Sequence, residues 1–189
     1  MSDLYLDSRT TALVAIDLQN AIMAITTAPY PVNEVVQRNR QIADELRARG
    51  GLVVWVRVDL KQFLELPVDQ PPSFAGKQLP AELSEIAPSA GFQEGDLLVT
   101  KPHWGAFAGT DLEQQLKNRG IDTVVLTGIS TNVGVESTAR QGTGLGFAFV
   151  LVEDACSAQD AEQHRYAFEE IFPRLTRVRT TGEVLAAYA

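Results

Sequence analysis

Asp17 and Lys101 each stand directly after a short apolar run, Ala-Leu-Val-Ala-Ile and Leu-Leu-Val-Thr respectively. In an open α/β sheet, ligands lie in the crevice beyond the carboxyl ends of the strands, so a carboxylate and an ammonium at these positions meet there if the strand order allows. In a partly dry pocket such a pair acts as a tuned proton donor or acceptor; the same pair also serves as a buried structural ion pair. A third stretch with chemical potential is TVVLTGISTNVGVESTAR at 123–140, where an apolar run ends at Gly128 and the polar turn Ser130-Thr131-Asn132 opens an amphipathic segment. A helix that starts there aims unpaired N–H groups and a partial positive charge into the crevice. The plainer reading is a capped βα turn. Trp104 and Phe107, on the loop after Lys101, are pocket walls or packing residues.

Positioning these groups requires alternating strands and helices. Apolar runs predict strands at 12–16, 52–58, 97–100, 124–126 and 148–152, with a weaker one at 176–179. Helical spacing marks 32–49, stopped by Gly50-Gly51; 111–119, stopped by Gly120; and 162–172, stopped by Pro173. The alternation argues for a parallel sheet covered on both faces. Between Leu60 and Ala90 the pattern dissolves into a proline-rich stretch. Segments of this kind cover a site, support a subunit contact, or run over the surface without a role in chemistry.

The 189 residues suit one domain, 1–189, with an ordinary 45% hydrophobic and 21% charged composition. A net charge of -8 argues against nucleic acid and against an anionic membrane surface. No apolar run is long enough to span a bilayer, and no leader pattern opens the chain. The single cysteine, Cys156, suits a reducing compartment, so the cytoplasm is the expected location. Two histidines, His103 and His164, without ligand spacing make a metal site unexpected. No G-x-G-x-x-G follows the first strand, which counts against a dinucleotide site.

Taken as a set, LVAIDLQN at 13–20, TKPHWGAFAGTDLEQQL at 100–116 and TVVLTGISTNVGVESTARQGTGLGFAFVLVEDACSAQDAEQH at 123–164 resemble the isochorismatase-like hydrolase superfamily, also called the cysteine hydrolases. The resemblance implies a three-layer αβα fold with a six-stranded parallel sheet, assembled into dimers or tetramers. It places the family's catalytic aspartate on Asp17 and lysine on Lys101, and a cis peptide at Ile129-Ser130. The positions expected to face substrate are Trp104, Phe107, Ile129, Ser130 and Thr131, around a small-molecule substrate with no cofactor.

The family's cysteine stands in T-x-x-C-V-x-x-T-A-R; this chain has Gly134 at that position, in Thr131-Asn132-Val133-Gly134-Val135. Glycine offers no nucleophile, so a thioester route is closed. Cys156, after the fifth strand, reads as a small buried residue. Ser137 lies one turn beyond Gly134 with no histidine placed to activate it, and Thr131 reads as a capping residue. The nicotinamidase metal element would fall on Asp59-Leu60-Lys61, which lacks the histidine. True isochorismatases resemble this chain in lacking the cysteine, and there the aspartate protonates a vinyl ether. That role needs a carboxyl pKa raised by its surroundings, which a neighbouring Lys101 opposes. Arg57, Lys61, Lys77 and His103 are candidate partners for an anionic substrate, and the small glycine is expected to widen the pocket over the helix N-terminus. The function expected is a hydrolase working through Asp17, Lys101 and water; the alternative is a ligand-binding or structural member whose catalysis has lapsed.

Overall fold

A computed structural model of the protein describes residues 4–188. Its strands are β1 (Thr11–Ile16), β2 (Leu52–Val58), β3 (Leu97–Lys101), β4 (Thr123–Ile129), β5 (Ala148–Ser157) and β6 (Arg177–Arg179). They form one six-stranded sheet in the order β3-β2-β1-β4-β5-β6, and every pairing is parallel. The helices are α1 (Asn20–Met23), α2 (Val32–Ala48), α3 (Leu112–Asn118), α4 (Glu136–Gly144), α5 (Ala161–Tyr166) and α6 (Thr181–Ala187).

Every residue of β1 is buried, as the continuous apolar run Thr11–Ile16 requires of a central strand covered on both sides. One face packs Val14, Ile16, Val54, Leu116, Val135 and Phe149 in a single apolar cluster. The opposite face packs Leu13, Ala15, Trp55, Ile42, Leu46 and Val184 in another. The αβα layering expected from the sequence is therefore present. Strand order reverses between β1 and β4, and the crevice at that switch point is where the ends of both strands open.

Three boundaries depart from expectation. β4 continues three residues to Ile129 and β5 five residues to Ser157, because a register shift between Leu126 and Gly128 lets both strands run on past it. The helix expected at 162–172 is α5 followed by a π-helical turn Ala167–Ile171 and a 3-10 turn Phe172–Arg174. Two elements were not anticipated, the short α1 and the C-terminal α6. The latter carries a legible signal, a capping box in which Thr180 accepts from the Glu183 amide while the Glu183 carboxylate accepts from the Thr180 amide.

The proline-rich stretch folds back over the carboxyl edge of the sheet. Asn20 donates its amide to the Glu85 carbonyl and Ala87 donates to Leu18, at 2.9 Å each. At its other end Leu64 donates to Pro102 at 2.7 Å, and Phe63 stacks on His103, which stacks on Trp104. The stretch therefore packs on the loops that follow β1 and β3.

Candidate active site

Asp17 follows β1 with φ of 57°, in the left-handed region that aspartate tolerates better than most side chains. Its amide still donates to Val56 at 2.8 Å, so the kink begins only after the β1–β2 ladder has closed. Gln19 then stitches this end of the sheet together: Oε1 accepts from the Val58 amide at 2.9 Å, and Nε2 donates to the Val58 and Leu83 carbonyls. That role was missed from sequence, since nothing in Leu18-Gln19-Asn20 marks which polar residue faces inward.

Lys101 is the last residue of β3, two strands from β1, and its long side chain crosses the end of β2 to reach Asp17. Nζ lies 2.8 Å from Asp17 Oδ2 and donates to the Trp104 carbonyl at 2.7 Å. The Lys101 side chain is only 1% exposed and that of Asp17 14%. Asp17 Oδ1 is buried with no hydrogen-bond partner among the described residues. Burial pushes the Asp17 carboxyl above its ordinary pKa, and the opposing pull of Lys101 is the smaller effect. A carboxyl in this setting can exchange a proton with a molecule bound beside it.

Gly134 closes the third side. After β4 the Ile129-Ser130 peptide is cis, and the chain enters a π-helical turn, Thr131–Val135, before α4. A Cβ placed on Gly134 would stand 3.2 Å from both Asp17 Oδ2 and Lys101 Nζ, and 2.9 Å from Ile16 Cγ2. The widened pocket expected at this glycine is therefore not found. The Ile16 methyl and the ion pair fill the space that a side chain at position 134 would need.

Residues 11–183 match the isochorismatase domain family. The chain belongs to the isochorismatase family of hydrolases. It is 48% identical to the isochorismatase family protein YecD of Escherichia coli O157:H7, over 97% of this chain and 99% of that one. A ureidoacrylate amidohydrolase, RutB of Klebsiella pneumoniae, is 30% identical over 77% of this chain and 72% of that protein. Among solved structures, an isochorismatase family protein from Burkholderia thailandensis superposes with a TM-score of 0.92 at 42% identity, each chain covered to 98%.

Not all the positions expected to face substrate do so in this isochorismatase-family chain. Trp104, whose carbonyl accepts from Lys101, is 46% exposed, and Ser130 is half-buried. Phe107 is 7% exposed and stacks on Phe147, so it is core packing, not a pocket wall. Ile129, 1% exposed, belongs to the apolar cluster under α2. Both are drawn inward because an aromatic and a β-branched residue bury far more apolar area in the core than at a crevice rim. The candidate anion partners do not converge: Arg57 binds Thr100 and Ser84, Lys61 and Lys77 are exposed, and His103 sits in the aromatic stack. Among the described residues no group of three or more His, Cys, Asp or Glu side chains is gathered to hold a metal ion. Cys156 is fully buried, and burial pushes its thiol far above the ordinary range.

Thr131 does not cap the turn. It is fully buried and its hydroxyl meets His164 Nδ1 at 2.9 Å, 33 residues away in sequence. This hydroxyl–imidazole pair has the contact of a nucleophile and base, but both groups are sealed from the crevice, packed by Tyr30 and Phe168. Burial lowers the His164 pKa to about 4. The unfolded chain then binds the extra proton between pH 6.5 and about 4, so the stability that depends on neutral His164 is complete above 6.5 and declines as pH falls through this window. The expected loss is about 3 kcal/mol, read from urea melts across that range. His164→Asn should flatten that part of the profile; an unchanged slope would show that other groups carry it.

Proposed function

We propose that the protein hydrolyses a small molecule without a covalent thioester intermediate, with Asp17 as general acid and base and Lys101 as its electrostatic partner. The observation that carries this reading is the Asp17 carboxyl itself: one oxygen bound to Lys101, the other buried without a partner, and the pKa raised by burial. Gly134, the position the family's cysteine takes by resemblance, brings no nucleophile to that pair.

A vinyl ether fits this equipment. Protonated Asp17 delivers its proton to the enol-ether carbon, the ether oxygen lends a lone pair, and an oxocarbenium ion forms. Water adds to that ion and returns a proton to the Asp17 carboxylate, which Lys101 stabilises meanwhile; the hemiketal then breaks into a ketone and an alcohol. RutB is an amidohydrolase by name, so amides form the second substrate class to test. Purified protein is to be assayed against isochorismate and a panel of amides, with Asp17→Ala as control. Turnover that survives that substitution overturns the reading.

Gly134→Cys gives an independent check of the geometry. The new Cβ crowds Ile16 and the pair, which is expected to lower stability by about 1–3 kcal/mol. Its sulfur would stand beside the Lys101 ammonium, so its thiol is expected to titrate below the ordinary range of about 8–9. Ultraviolet thiolate absorbance against pH measures this directly, with Cys156 protonated throughout. Amide hydrolysis gained by this variant, with none by the parent on any substrate, would favour a lapsed enzyme.

A further inference from the structure

We propose that Thr138 and Gln141, on α4, are positioning residues that hold the Lys101 ammonium against Asp17 by clamping the loop 104–108. The inference takes from the proposed function only that Asp17 and Lys101 are the reactive pair.

Lys101 is a long side chain with four rotatable bonds, and two acceptors fix its end: Asp17 Oδ2 and the Trp104 carbonyl. The carbonyl is useful only if the loop that carries it is rigid. That loop, Trp104 to Ala108, contains no regular structure, so its backbone donors must be met from elsewhere. Two side chains of α4 meet three of them. Thr138 Oγ1 accepts from the Ala106 amide at 3.1 Å while donating to the Gly134 carbonyl at 2.7 Å. Gln141 Oε1 accepts from Phe107 at 3.1 Å and from Ala108 at 3.2 Å. The Gln141 amide lies flat against the Gly105 α-carbon, closely enough that any side chain at 105 would displace it.

Thr138 thus binds both the loop and Gly134, the residue that faces the ion pair. The clamp therefore links all three sides of the site: α4 to Gly134, α4 to the loop, and the loop to Lys101. A role confined to packing would not need both of its acceptors directed at one loop. Gly105 gives a second route to the same disconnection, since the atoms an added Cβ would strike are the flexible end of Gln141 and not backbone.

The test is nuclear magnetic resonance on the full-length protein without substrate, following the Lys101 Nζ protons and the loop amides. In the parent, the buried and doubly bound Lys101 ammonium should exchange its protons slowly enough to be observed. In Gln141→Ala and Gly105→Ala, the Phe107 and Ala108 amides should exchange at least about tenfold faster and the Lys101 signal should shift or broaden away. Gln141→Glu keeps an acceptor at the same reach and should restore both signals; Thr138→Ser should likewise retain what Thr138→Val loses.

A Lys101 signal unchanged in Gln141→Ala, with only global stability reduced, overturns the positioning role and leaves a packing residue. That outcome is separate from the enzymatic reading. Activity that ignores Asp17→Ala would remove the reaction while leaving the clamp in place.

Discussion

Asp17→Asn is expected to reduce hydrolysis by about 10²–10⁴-fold, the usual worth of a positioned acid or base, without lowering stability at neutral pH. Asparagine is the informative replacement because it accepts the left-handed backbone of position 17 and mimics the protonated acid in shape. The sign of the stability effect follows from the pKa. Burial raises the Asp17 carboxyl above 3.8, so the folded chain holds a proton that the unfolded chain has lost, over the window between 3.8 and the raised value. Parent stability should therefore be highest below that window and fall as pH rises through it. The asparagine variant lacks this slope and should match or exceed the parent at pH 7. Urea melts and activity assays on the same preparations decide it. A variant that is inactive and much less stable would mean that attraction to Lys101 outweighs burial, leaving an anion that cannot serve as the proton donor.

The second large effect is structural. Gly128→Ala should cost roughly 4 kcal/mol or more, a large share of the total stability of a domain this size. Gly128 has φ of 117°, a region closed to L side chains, and its α-carbon lies so near β1 that an added Cβ would strike the Ile16 backbone, with the amide nitrogen at 2.6 Å. No flexible side chain is available to give way, and Ile16 leads directly into Asp17. Gly182→Ala is the control. It sits in α6 with nothing within 4 Å of the added carbon, and should be neutral or stabilising by about 0.5 kcal/mol. Comparable losses for the two variants would show that the close approach of β1 and β4 is not what Gly128 secures.

Much of the architecture was legible because buried parallel strands announce themselves as unbroken apolar runs. The runs at 12–16 and 52–58 read directly as strands, and Gly50-Gly51 and Gly120 marked their neighbours' ends. The strand extensions to Ile129 and Ser157 did not, since both lie beyond a register shift that has no signature in residue type. Asp17 and Lys101 were legible as a pair because each ends an apolar run, where the fold class opens its crevice.

What the sequence determined by itself is the inventory: a carboxylate and an ammonium at strand ends, a glycine at position 134 in the turn after the fourth strand, and one cysteine outside that turn. Tertiary structure decided how those groups behave. It drew Phe107 and Ile129 inward, paired Thr131 with His164 across 33 residues, and closed Ile16 and the ion pair onto Gly134 where a wider pocket was expected. The reason is physical. Residue type sets which groups can ionise or donate, but the pKa of Asp17 and the hold on Lys101 depend on burial and on partners such as Thr138 and Gln141, which only the folded chain brings within a hydrogen bond.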